Sequence, residues 1–172
     1  MRTAESLFVL TLFTIAGIYA SNQLEKRIRQ LKELEKAILL IKREVDYQLS
    51  PLGEAMLHTG SRAEFPWSQL FIKTGERLLH KEEKEGKPEV CFKEEISKIR
   101  TYHPWEKDLD ILFTLGRNLG GVDKKIQIAQ LTAAEEEVRQ AIQYAKEEHL
   151  RKGKLYRTLG ICTGLLGVIL LI

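Results

Sequence analysis

The sequence is short of the residues that build chemistry into a small protein. Its 172 residues include 2 cysteines, 4 histidines, 4 prolines and 2 tryptophans. Cys91 and Cys162 lie far apart in the chain; they cannot make a disulfide framework, and no Cys-x-x-Cys or Cys/His cluster supplies metal-ligand spacing. An excess of one charge is also missing. The 27 Lys plus Arg against 24 Asp plus Glu leave +3, too small and too evenly mixed for a nucleic-acid footprint. There is no phosphate-binding Gly-x-x-x-x-Gly-Lys-Ser/Thr, no Gly-x-Ser-x-Gly elbow and no His-Glu-x-x-His. Alternating Val, Ile and Thr between turn signals is absent as well, so strands are not expected.

The charges are instead segregated. Among charged residues, positions 1–23 carry only Arg2 and Glu5, and positions 158–172 carry none. Leu7–Ala20 and Thr158–Ile172 are runs of 14 and 15 residues without a charge or a proline. At about 22 Å of helix each is shorter than the roughly 30 Å hydrocarbon core of a bilayer, so either run alone also suits a buried core helix. Their position at both termini, each joined to a basic stretch on its inner side, favours two membrane helices at 3–22 and 158–172. Between them lies a helical domain over 23–157. Lys26, Arg27, Arg29 and Lys32 follow the first run, and Arg151, Lys152, Lys154 and Arg157 precede the second. The positive-inside rule then assigns the domain to the cytoplasm. A cleaved secretory signal ending at Ala20 is the other reading of the N-terminus, but Ile18 stands where a small residue is needed. Gly160, Gly164 and Gly167, and at the other end Ala16 with Ala20 and Gly17 with Ser21, have the small-residue spacing that lets helices approach closely in lipid. Short anchors also commonly contain glycine.

The middle reads as helix throughout. Leu24, Ile28, Leu31, Leu34, Ile38, Ile41, Val45 and Leu49 form a stripe spaced by threes and fours, continuing the first run without a breaker. Ser50 is the expected N-cap of a second helix, with Pro51 at its first position. A third helix carries Trp67, Leu70, Phe71, Leu78 and Leu79. The charged connector 80–88 leads to a fourth with Val90, Phe92, Ile96 and Ile99. The fifth carries Trp105, Leu109, Leu112, Leu115 and Leu119. Asp123 is the expected cap of the last, with Ile126, Leu131, Ala134, Val138, Ile142 and Ala145 on its apolar face, extending about 48 residues into the second run. The expected fold class is all-α: an antiparallel bundle of about six helices between two terminal membrane helices, with short loops setting the antiparallel order.

Catalytic, cofactor and metal sites are not expected. The histidines fall in four different elements, and His58, His80, His103 and His149 are each read as exposed or capping. Glu135, Glu136 and Glu137 point about 100° apart on a helix and read as a solvated face. A hydrolase using Asp123 or the Glu135 region would need a concave site that the pattern does not supply. Cys91 and Cys162 read as small packing residues. Trp67 and Trp105, each beside a proline, are either anchors for a partner or rings packed on the long helices, the latter preferred.

The order of these features resembles the stage III sporulation protein AB family of endospore-forming bacteria, over essentially the whole chain. The resemblance lies in LEKRIRQLKELEKAILLIKREVDYQLSPLGEAM after the apolar start, in LFTLGRNLGGVDKKIQ, and in the closing KLYRTLGICTGLLGVILLI. That family is similar in its helical domain to the inner-membrane platform proteins of type II secretion and type IV pilus systems. The resemblance implies a non-enzymatic, membrane-anchored assembly component of the channel-like complex between mother cell and forespore, in the mother-cell membrane. Its implied partners are other subunits of that complex and a secretion-type ATPase that it couples to them. A membrane-tethered coiled-coil scaffold unrelated to secretion is the competing reading of the 24–49 stripe.

Overall fold

The stripe that begins at Leu24 belongs to one continuous helix, α1 (Arg2–Tyr47). Its sequence contains no proline and a single glycine, Gly17, so nothing interrupts the hydrogen-bond ladder. In this computed structural model the described residues are 2–47, 50–80, 87–119, 123–153, 158 and 162. Five further helices follow: α2 (Leu52–Gly60), α3 (Trp67–Leu79), α4 (Pro88–Ile99), α5 (Glu106–Asn118) and α6 (Lys124–Glu148), the last passing into a π-helical turn, His149–Gly153. Among the described residues there is no strand.

The chain divides into two compact units. A terminal unit joins Met1–Arg29 to Ile142–Ile172, and a helical unit comprises Gln30–Ala141. In the helical unit Leu31, Leu34, Ile38, Ile41 and Val45 are buried, as are Ala55 and Met56 of α2, Trp67, Leu70 and Phe71 of α3, Phe92 and Ile96 of α4, Leu112 and Leu115 of α5, and Leu131 and Val138 of α6. The stripe on α1 is therefore buried from Leu31 to Val45, while Leu24 and Ile28 are half-buried and Leu49 lies outside the described residues. Over Leu31–Val45 it does not present the open seam that a coiled-coil scaffold needs.

Helices α2 and α3 are antiparallel and approach closely through glycine. A Cβ on Gly75 would lie 2.7 Å from the Gly53 carbonyl oxygen, and one on Gly53 would lie 2.9 Å from Leu79 Cγ. Gly116 of α5 gives the Phe92 ring of α4 the same room, a Cβ there falling 2.6 Å from Phe92 Cβ. Ion pairs set the direction of the long helices in the helical unit. Glu35 with Arg139, Lys42 with Glu135 and Asp46 with Lys124 run in opposite order along α1 and α6, so these segments are antiparallel.

Several sequence expectations shift. Helix α2 begins at Leu52 with Pro51 as its N-cap and no side-chain cap bond, so Ser50 is not the cap and Pro51 is not the first helical residue. The Pro51 carbonyl accepts the Ala55 N–H at 3.0 Å, and the missing proline N–H would serve neither arrangement. Asp123 does stand at the start of α6, where Oδ1 accepts the Lys125 N–H at 2.8 Å. At Glu148 the α-helix passes into the π-helical turn, and most of the expected 48-residue continuation lies outside the described residues. Leu79 and Ile126, expected inside, are largely exposed: both lie at helix ends, where fewer elements remain to cover them. No helix among the described residues is long and apolar enough to cross a membrane.

Candidate functional site

The polar interior of the helical unit is organised around His103. Its Nδ1 lies 2.8 Å from Gln30 Oε1 and its Nε2 lies 3.0 Å from Asp108 Oδ2. Gln30 is almost fully buried, and His103 and Asp108 are completely so. Trp67 packs against the imidazole with ring centroids 4.9 Å apart, and Trp105 does so from another side at 4.9 Å. The Trp67 indole N–H donates to the Gln30 backbone carbonyl at 2.7 Å. Both ring nitrogens of His103 therefore have partners. The Gln30 amide, which carries a donor and an acceptor, can serve Nδ1 in either protonation state while Asp108 accepts from Nε2. This knot ties α1, the start of α3 and the α4–α5 loop to α5, and its imidazole has no face open to a substrate.

His103 is thus neither exposed nor capping, contrary to the expectation from Pro104 beside it. His58 and His80 are exposed, and His149 is half-buried in the π-helical turn. Trp67 is completely buried and Trp105 half-buried, so both serve as bundle anchors. Cys91 is buried and Cys162 exposed. Glu136 and Glu137 are solvated, whereas Glu135 is buried between Lys42 Nζ at 2.9 Å and Arg139 Nη2 at 2.9 Å. Of the small residues proposed for membrane-helix packing, Gly160, Gly164, Gly167 and the Ala16 side chain lie outside the described residues. Ala20 is half-buried, and Ser21 beside it is buried.

Sequence reading missed Arg27, Gln30, Glu44, Glu95 and Asp108 as inward-facing groups. A signal for them existed. Arg27, Gln30 and Glu44 fall three or four residues from Leu31, Leu34 and Ile41, and Asp108 stands four before Leu112, so helical spacing alone puts them beside the apolar face. Two of these acids are incompletely satisfied: Glu44 Oε2 and Glu95 Oε2 are buried without a hydrogen bond, although His58 Nδ1 approaches Glu44 at 3.5 Å.

Concave features are modest. A groove of about 470 Å³ runs along α4, lined by Glu89, Val90, Lys93, Glu94 and Ser97. A cleft of about 80 Å³ between α1 and α2 includes Lys36, Arg62 and Thr59. Among the described residues no group of three or more His, Cys, Asp or Glu side chains could hold a metal ion. Shifted titrations belong to solvated ion pairs. A hydrogen bond with Glu33 raises Lys36, one with Glu76 raises Lys73, one with Glu35 raises Arg139, and one from Arg77 holds the Glu94 carboxyl below the usual carboxylate range.

Large apolar side chains are exposed in both units, Tyr47, Phe65 and Tyr102 among them in the helical unit. Ile15, Ile18 and Tyr19 share one face of α1, and Tyr144 and Leu150 are exposed on the returning segment. Arg27 joins the two segments: its Nη1 lies 3.0 Å from Glu148 Oε2, and its guanidinium carbon is 6.0 Å from the Tyr144 ring centroid.

Comparison with known proteins agrees with the resemblance in the sequence. The family model described as stage III sporulation protein AB matches residues 2–172. A curated relative, stage III sporulation protein AB of Bacillus subtilis (strain 168), is 24% identical over 179 residues, covering 99% of this chain and 99% of that protein. A solved structure of a stage III sporulation protein AB matches with a TM-score of 0.58 and 18% identity, over 72% of this chain and 96% of that one.

Proposed function

The chain belongs to the stage III sporulation protein AB family, and from this premise we propose that it is a non-enzymatic, membrane-anchored assembly component of the complex that links mother cell and forespore. The match along the whole chain carries the reading, since no part of the chain is left over for an unrelated role. The helical unit is the docking body in the mother-cell cytoplasm, and the segments 3–22 and 158–172 are its anchors. Three observations support the anchors: the two uncharged terminal runs, the outward apolar face of Ile15, Ile18 and Tyr19, and the Arg27–Glu148 pair that starts both terminal segments side by side. The resemblance to secretion platform proteins extends the proposal to partners: other subunits of the complex, and a secretion-type ATPase that the helical unit couples to them.

Deleting the gene in its host should arrest development after engulfment, and a normal spore yield would remove the proposal. Alkaline carbonate washing of membranes should leave the full chain in the pellet; release into the supernatant would remove the anchors. For the coupling, purified full chain in detergent should retain the ATPase. Loss of retention upon charge reversal on the helical unit, with the fold intact, would locate the contact there.

A further inference from the structure

The net charge of +3 conceals two opposite values. The terminal unit holds 9 basic against 4 acidic residues, a net of +5, whereas the helical unit holds 18 against 20, a net of −2. The positive charge therefore lies with the two apolar runs, on the unit that also exposes Ile15, Ile18, Tyr19 and Leu150. Within this unit the acid Glu148 is already engaged twice, by Arg27 at 3.0 Å and by Lys152 at 2.7 Å. Its partners hold that carboxylate inward, and Lys26, Arg29 and Arg151 remain exposed around them. The π-helical turn adds one residue per turn at this point. It leaves Leu150 and Arg151 side by side and outward, an apolar side chain next to a cation, as at a hydrocarbon–headgroup boundary.

We propose that the terminal unit is an anionic-lipid recognition surface: Lys26, Arg29 and Arg151 take the phosphates of anionic phospholipids while Leu150 and the Ile15/Ile18/Tyr19 face enter the acyl boundary. The inference rests on the membrane reading above and adds headgroup selectivity to it. Charge decides for lipid. Each cation near an anionic bilayer is worth roughly a fivefold preference that decays within a Debye length, and the helical unit, being net acidic, supplies no such attraction of its own.

The test uses the full chain reconstituted in phosphatidylcholine bilayers containing spin-labelled phosphatidylglycerol or spin-labelled phosphatidylcholine. The fraction of each lipid immobilised at the protein is measured. Phosphatidylglycerol should be preferred on the order of tenfold at about 0.05 M salt and lose most of that preference at about 0.5 M. Arg29→Glu with Arg151→Glu should remove the preference, Arg29→Lys with Arg151→Lys should keep it, and Lys107→Glu in the helical unit should leave it unchanged. Unchanged circular dichroism of each variant keeps folding out of the comparison. Equal immobilisation of the two lipids in a chain that resists carbonate washing would overturn the selectivity and leave the anchors standing. Failure to stay with either bilayer would overturn both. If the double reversal blocks spore formation but leaves lipid preference intact, the basic surface serves an acidic protein and the lipid inference is wrong.

Discussion

The two units of this chain solve different problems with the same helices. The helical unit hides its special residues: Trp67 and Phe71 are completely covered, and Gln30, His103 and Asp108 satisfy one another in the interior. The terminal unit turns its apolar residues outward and keeps a polar pair, Arg27 with Glu148, at its centre. One is a self-contained core whose surface charges nearly cancel. The other is strongly basic and groups Ile15, Ile18 and Tyr19 on one exposed helix face. Substitutions in the first should therefore change stability, and substitutions in the second should change location.

The largest effect is expected at Trp67. Trp67→Ala removes a completely buried ring and its bond to the Gln30 carbonyl, and should cost about 3–5 kcal/mol in urea denaturation of the full chain. His103→Leu keeps the volume but removes the partner of the buried Gln30 amide and one hydrogen bond to Asp108, at about 1–3 kcal/mol. A loss below about 0.5 kcal/mol would mean that the knot is not a structural tie. Gly75→Ala is next. Its Cβ would meet the Gly53 carbonyl oxygen, a backbone atom that cannot swing aside, so α2 and α3 must separate at about 1–3 kcal/mol.

The terminal unit should respond in the opposite sense. Ile18→Asp alters an exposed side chain and should change the denaturation midpoint hardly at all, within about 0.5 kcal/mol. Its effect should appear as protein lost from the membrane pellet; a large drop in stability with location unchanged would reverse the contrast between the units. The smallest effect belongs to the Arg77–Glu94 pair on the helical unit. Arg77 lowers the folded-state titration of Glu94, so the pair's contribution is present at neutral pH and is lost as pH falls through that lowered value. Arg77→Gln should move the Glu94 carboxyl resonance back towards ordinary titration by NMR, with Lys98 still lowering it.

How much of this was legible in the sequence depended on which signal each residue carried. The stripe on α1 and the existence of α2 and α3 were readable because apolar spacing and Pro/Gly punctuation are local. Trp67 was readable as an anchor for the same reason. His103 was not, since its burial follows from Gln30, far back in the chain, and from Asp108 five residues ahead, and nothing in the neighbouring Pro104 reports either. Glu135 was misjudged with its neighbours because a run of three carboxylates looks solvated until Lys42 and Arg139 are brought to it. The shift of the α2 start from Ser50 to Pro51 is of another kind: proline suits both the cap and the first turn, so composition could not choose between them.

By itself, the sequence determined the all-helical class, the separation of charged middle from apolar ends, and the family to which the order of segments points. These follow from periodicity and composition, which act over a few turns of helix. Only the tertiary structure decided which polar residues face inward, that glycines 53 and 75 let two helices nearly touch, and that the charge divides as +5 and −2 between two units rather than residing in the middle alone. Those outcomes depend on contacts between segments distant in the chain, and local pattern holds no record of which segment will arrive opposite.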